Sequence, residues 1–486
     1  MDDNQFRYGK ISKINDVNVD ISFYLNNFEL KLIPQDWRSN AITIRENKLF
    51  KKDFVLLKGT LTSGCCITLQ LYAPQLINFL LPNSEKVITT HVGIYSISSD
   101  DDDISEAFDK IEFIGGTLDL VYPVGQIVEY QIENQTWNLK QDNIKKMYDV
   151  KCGDVDQVSY TIRPVISMKV GKIVDLNETH AIFEFVLNRK ITIMEFVNYY
   201  NDLSNMLSFL CRQVNVRYFK ISGSICENLE KNIDIYVRDS YNNYVDESEN
   251  CMTVIRFNSI GANITDLYKL VKDDSVPNMY FLPDDNKTKN LIHYYSPAVI
   301  IASMEREYKY LPDDVKKVDA ELAAQSSSVC DKLDEVIKNE ICNERIKNKA
   351  SKMLQSLRKI EPNSTEKFSI MMNIVIDDIN SISDICSVSN HGDFWMEISN
   401  VKDELINMYG VMYKMRSLSV HNGINKMDDI SEIYSFIEMI IYYFILKRIN
   451  LKPVDILEIL DNQFSRYIFN SFIKKQLERK RYEKES

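Results

Sequence analysis

The chain has 486 residues, 45% of them hydrophobic and 26% charged, which excludes collagen-like, mucin-like and globally disordered proteins. At about 100–200 residues per domain, this length gives two or three domains. Lys plus Arg number 58 against 70 Asp plus Glu, a net charge of −12 that excludes a constitutive nucleic-acid coat but leaves room for local basic sites.

With 14 Gly and 11 Pro, the chain has little material for phosphate-cradling loops. No GxGxxG follows a strand and no GxxxxGK[ST] occurs, which argues against dinucleotide enzymes and nucleotide-driven motors. Nine cysteines are scattered (Cys65, Cys66, Cys152, Cys211, Cys226, Cys251, Cys330, Cys342 and Cys386). Their number is odd and no CxxC is present, so reduced, mostly buried thiols are expected and a zinc site is not. The opening MDDNQFRYGK has no apolar h-region, so no secretory leader is expected.

The first half reads as strands. VNVDISFYL, FELKLIP, NAITIREN, FVLLKGTLTSGCCITLQLYA, KVITTHVGIYSIS, KIEFIGGTLDLVYP and GQIVEYQIE are β-branched or aromatic runs separated by Asn, Asp and Gly clusters. They predict an antiparallel sandwich or barrel. The acidic run Asp100–Asp103 reads as a solvated loop, because adjacent carboxylates do not converge on a metal without a turn. From Thr192 to Arg212 the period becomes helical, with Phe196, Tyr199, Leu203, Met206, Leu207 and Leu210 on one face. Strand-like runs return at VNVRYFKIS, NIDIYV and MTVIRF.

After about residue 290 the class changes. Ala298–Tyr310, Asp319–Ile360, Thr365–Ile382, Phe394–Val420, Ile430–Ile449 and Val454–Tyr482 read as helices, punctuated by Pro312, Pro362 and Pro453. Ile430–Ile449 is the most apolar stretch, but Glu432 and Glu438 interrupt it, so a buried bundle helix is expected rather than a membrane span. The fold class is therefore a two-part α+β chain. Residues 1–290 form an antiparallel β-rich domain with an appended helix, and residues 291–486 form an all-α bundle. The final stretch, Lys474–Lys484, is basic and reads as a solvated helix end, with RNA contact as the sharper alternative.

Five histidines are present. His91, His180 and His293 have no carboxylate or cysteine at ligand spacing and read as surface or satisfied core residues. His391, in NHGDF, reads as a loop residue ahead of a helix. His421 ends the segment DELINMYGVMYKMRSLSVHNGIN. Val401, Leu405, Met408, Met412 and Met415 recur there at i, i+3/i+4 spacing and predict a packed face. At about 100° per residue a second stripe carries Asp403, Gly410, Lys414, Ser417 and His421 opposite it, with Arg416 at the border between the two. Asn422-Gly423 resembles a helix stop, which places His421 at a helix end on its polar side.

RSLSVHNG between two long helices resembles the Arg-x4–6-His signature of HEPN domains, all-α modules that are often metal-independent ribonucleases. IIASMEREYKY resembles the first helix of HEPN domains that follow an ApeA-type N-terminal half. LKGTLTSGCCITLQLY and ITIMEFVNYYNDLSNMLSFLCRQVNVRYFKI resemble segments of that half, so the likeness covers most of the chain. The position after the Arg, often Asn in HEPN motifs, is Ser417 here.

The resemblance implies an anti-phage effector of the bacterial cytoplasm acting by abortive infection. Arg416 and His421 would be catalytic, with Lys414, Ser417 and Asn422 in support and Glu305 orienting Arg416. It implies RNA as substrate, a homo-oligomer with a composite site, and a phage-encoded trigger or inhibitor sensed by the N-terminal region. No metal, cofactor or membrane is called for. Two other readings stay open: a non-catalytic interaction bundle, and a toxin silenced by nucleotidylation.

Overall fold

The computed structural model describes residues 6–80, 87–99, 107–123, 128–131, 136–139, 145–165, 175–225, 228–242, 254–273, 281–283, 296–316, 320–339, 343–358, 362–382, 395–396, 398–422 and 428–464. The chain forms two compact units, one of Met1–Ser275 with Leu282–Lys289, the other of Val276–Phe281 with Asn290–Ser486.

The first unit opens with six strands, β1 (Arg7–Ile14), β2 (Val17–Asn26), β3 (Glu29–Pro34), β4 (Phe54–Leu61), β5 (Cys66–Tyr72) and β6 (Ile88–Ser98). They pair antiparallel in the order β1-β2-β3-β6-β5-β4, and β4 closes back on β1. Closure removes the open edges that a short sheet would otherwise leave. The alternate inward residues Ile11, Ile21, Phe23, Leu30, Leu57, Leu69 and Val92 fill the interior. This is the barrel alternative of the sequence reading.

NAITIREN is not a strand. It lies in helix α1 (Trp37–Glu46), where the Asp36 carboxylate accepts from the backbone N–H groups of Arg38 and Ser39. The cap outweighs the β propensity of Ile42 and Ile44, and only Ile44 of the two is buried.

A second set of strands leaves the barrel through β6. Its first half pairs with β3 and its second half, Ile94–Ser98, with β14 (Asn228–Val237). From there the sheet runs β14-β13-β7-β12-β11-β10, using β7 (Phe108–Ile114), β10 (Lys145–Cys152), β11 (Val155–Val165), β12 (Asp175–Ile191) and β13 (Lys220–Ile225). A separate hairpin joins β8 (Val128–Gln131) and β9 (Thr136–Leu139).

The run KIEFIGGTLDLVYP is a strand only as far as Ile114. Gly115 and Gly116, at φ +67° and +68°, turn the chain into helix α2 (Thr117–Val121). MTVIRF likewise gives way to the short helix α5 (Phe257–Ile260), after α4 (Arg238–Asn242).

One face of the second sheet packs on α3 (Ile193–Cys211) and on α6 (Ile264–Lys272), which also pack on each other. Phe113 stacks on Phe196 at 6.0 Å, and Phe185 meets Tyr199 and Tyr268. Thr192 and Glu195 form a reciprocal capping box at the start of α3. The opposite face is charged. Lys110 bridges Glu112 and Glu184 at 2.9 and 2.8 Å, and Lys145 and Arg163 approach the same two carboxylates.

The second unit is helical. It contains α7 (Ser296–Lys309), α8 (Ala320–Asn339), α9 (Glu344–Arg358), α10 (Ser364–Asn380), α11 (Lys402–Asn422), α12 (Asp428–Arg448) and α13 (Pro453–Phe464). The single helix expected over Asp319–Ile360 is two, α8 and α9, which pair with each other. α12 lies at the centre, with Ile437, Ile441, Tyr442, Tyr443 and Ile445 all fully buried. A helix that is apolar on every side must be surrounded, and α7, α11 and α13 surround it. Among the described residues, no helix is long and apolar enough to cross a membrane. The acidic run Asp100–Asp103 and the basic stretch Lys474–Lys484 lie outside the described residues.

Candidate functional site

α11 carries the proposed pair, and its packing is set by residues upstream of them. Leu405, Tyr409 and Met412 are buried, while Asp403, Asn407, Val411 and Lys414 are exposed. Tyr409 was absent from the apolar face read in the sequence. Its ring stacks on Phe368 of α10 at 4.4 Å, and its hydroxyl hydrogen-bonds the Ser364 hydroxyl at 2.7 Å. A tyrosine with its oxygen satisfied packs as a core residue.

The helix runs through Asn422, so His421 occupies its last turn. Gly423 lies outside the described residues. At about 100° per residue His421 shares the face of Asp403 and Lys414, within about 20° of each. Ser417 falls on the same side, about 40° from Asp403. The side chains of Arg416, Ser417, His421 and Asn422 lie outside the described residues. By ideal helix geometry alone, Arg416 and His421 are about 140° apart around the axis.

Gly410 is half-buried beside α10 of its own chain. A Cβ built there would meet only the Thr365 side chain, at 3.7 and 3.9 Å, which is ordinary contact. Among the described residues, no backbone makes a close approach that would require glycine.

Glu305 is half-buried on α7, and among the described residues no ion pair engages it. Another carboxylate of α7, Glu307, takes an arginine. Fully buried, it accepts from Arg448 Nη1 at 2.8 and 3.0 Å. The Arg448 guanidinium also lies 3.8 Å from the Tyr310 ring centroid. Burial opposes the Glu307 charge more strongly than Arg448 supports it, and pushes its carboxyl up to about 7.

Two further polar ties hold α12 and α13. Tyr443 donates to Asp378 at 2.6 Å beside Lys447, and the buried Trp395 indole donates to Asp461 at 2.9 Å. Glu307 and Arg448 lie 141 residues apart, and no local spacing in the sequence signals their meeting.

In the first unit, His91 is exposed on β6. His180 is not a histidine without a carboxylate: its Nδ1 lies 3.0 Å from Asp119 Oδ2, across 61 residues of sequence. Asp119 belongs to α2, whose place is fixed by the Gly115–Gly116 turn. His293 and His391 lie outside the described residues. Among the described residues, no group of three His, Cys, Asp or Glu side chains could hold a metal ion.

Comparison of this chain with known protein families, curated proteins and solved structures finds no match.

Proposed function

We propose that the helical unit is a metal-independent endoribonuclease of HEPN type, acting in anti-phage defence in the bacterial cytoplasm. The observation that carries this reading is the exposed stripe of α11. Asp403, Asn407, Val411 and Lys414 are exposed on the side of the helix that carries His421 in its last turn.

Such an enzyme uses the RNA's own 2′-OH as nucleophile. The 2′-oxygen forms a bond to the adjacent phosphorus, and the bond from phosphorus to the 5′-oxygen breaks. A base takes the 2′-OH proton, an acid returns one to the departing 5′-oxygen, and a cation offsets the charge on the phosphorane. Histidine titrates near neutrality and suits the proton transfers. Arginine keeps its charge and matches phosphate in a planar fork.

One chain supplies one such histidine. A two-fold dimer through the α11 stripe would bring two copies of His421 to one cleft, with Val411, about half exposed, as the apolar element of the contact. Lys414, two turns before His421 on that stripe, would add a second cation for phosphate, with Ser417 and Asn422 in support. The β-rich unit would respond to a phage-encoded trigger or inhibitor.

A second reading makes the bundle a non-catalytic interaction module, and Ser417 in place of the usual Asn, with the net charge of −12, favours it. The two separate in cells. His421→Ala and Arg416→Ala should each abolish phage protection and the accompanying RNA breakage at unchanged protein level. Full protection by His421→Ala would leave the interaction module as the account.

A further inference from the structure

The first unit holds a cavity of about 640 Å³ on the charged face of its second sheet. That volume is in the range that takes a drug-sized ligand, roughly 300–1,000 Å³. Arg163, His180, Arg217 and Lys220 all line it.

Arg163 and His180 are directly opposed across the β11–β12 pair, so both project from the same face. His180 meets Phe219 edge-on at 4.7 Å, and the Arg217 guanidinium lies 5.7 Å from the centre of the same ring. Arg217, Phe219, His180 and Arg163 therefore form one continuous wall. Phe28 and Tyr236 supply an aromatic surface elsewhere in the cavity.

The charges on this wall are unevenly matched. Lys220 is held by Asp234 at 2.7 Å, and Arg163 lies 3.8 Å from a Glu112 that Lys110 already engages. Among the described residues, no carboxylate pairs with the half-buried Arg217. Its five N–H donors form a planar fork suited to a phosphate. His180 gives Nδ1 to Asp119, which leaves Nε2 for a ligand.

The backbone is shaped to hold this arrangement. A Cβ at Gly115 would meet Phe219 at 2.4 Å and His180 at 3.1 Å, and one at Gly116 would meet the Arg217 carbonyl oxygen at 2.3 Å. Asp119 also accepts the Ala181 amide at 2.7 Å, which fixes His180 from a second direction.

We propose that this cavity binds a mononucleotide, with the phosphate on Arg217, Arg163 and His180 and the base against the aromatic wall. The cavity is larger than inorganic phosphate needs, and a free phosphate would leave its aromatic surface without a partner. The site stands whether or not the helical unit cuts RNA.

Calorimetric titration of the full chain tests it, with AMP, GMP, CMP and UMP, their nucleosides, inorganic phosphate and a short 5′-phosphorylated RNA. At least one mononucleotide should bind about tenfold tighter than its nucleoside and than inorganic phosphate. Arg217→Ala and, separately, the more exposed Arg163→Ala should each weaken that binding by about tenfold, with the thermal transition unchanged. Absence of binding by all four nucleotides, or nucleotide binding that neither substitution alters, would overturn the proposal. Tighter binding of the RNA than of any mononucleotide would overturn it in favour of a nucleic-acid end.

Discussion

Removing either partner of the Glu307–Arg448 pair should destabilise the helical unit, but unequally. Glu307→Met leaves a guanidinium only 16% exposed without its carboxylate, and arginine cannot shed its proton. Breaking a buried pair this way costs about 3–5 kcal/mol. The Tyr310 ring at 3.8 Å still faces the cation and returns about 1 kcal/mol.

Arg448→Met leaves a group that can neutralise itself. With its carboxyl raised to about 7, Glu307 can take up a proton near neutral pH at little cost. Lost hydrogen bonding and the lost ring contact add about 1–2 kcal/mol. Glu307→Met should therefore cost more than Arg448→Met at pH 7, by about 1–2 kcal/mol. The double substitution E307M/R448M should recover much of the loss.

Trp395 is buried in the helical unit, and the other two tryptophans are Trp37 and Trp137. Urea unfolding followed by fluorescence in a W37F/W137F background therefore reports on that unit alone. If Arg448→Met costs as much as Glu307→Met at pH 7, the reasoning about Glu307 protonation fails.

Three further outcomes are expected. Glu307 holds its proton more tightly folded than unfolded, so its stabilising contribution is complete below about pH 4.5 and is lost as pH rises through about 7. The stability of wild type relative to Glu307→Gln should fall by about 3 kcal/mol between pH 4.5 and pH 8, and a constant difference over that range would contradict this. Gly116→Ala should destabilise the β-rich unit by about 2 kcal/mol or more, since φ is +68° and the new methyl would strike the Arg217 carbonyl. Gly410→Ala should instead stabilise the helical unit by up to about 1 kcal/mol, because Thr365 leaves room for the methyl, and a loss of stability on chemical denaturation would show hidden crowding there.

Local signals were readable where one short-range interaction decided the outcome. The helical spacing from Phe196 to Leu210 marked α3, and its Thr192–Glu195 box confirms the start. The change of class after residue 290 followed from the loss of alternation and the proline breaks. The sequence reading failed where a single cap or turn outweighed propensity, at Asp36 ahead of α1 and at Gly115–Gly116 ahead of α2. Barrel closure depends on β4 meeting β1 and on β6 joining β3 to β5, and neither arrangement is encoded within one strand.

On α11 the buried Leu405 and Met412 follow the apolar period read in the sequence, whereas Tyr409 was passed over; its stack on Phe368 and its bond to Ser364 make it a core residue. The Asp119–His180 and Glu307–Arg448 pairs bridge 61 and 141 residues, beyond any spacing rule.

The most direct test of the central claim is the chemistry of the RNA ends left by the purified full chain in excess EDTA, beside His421→Ala. The account predicts cleavage that survives chelation, leaves 5′-OH together with 2′,3′-cyclic or 3′-phosphate ends, spares DNA of the same sequence, and falls by about 10²–10⁴ in His421→Ala. Products with 5′-phosphate ends, loss of cleavage on chelation, or full activity in His421→Ala would contradict it.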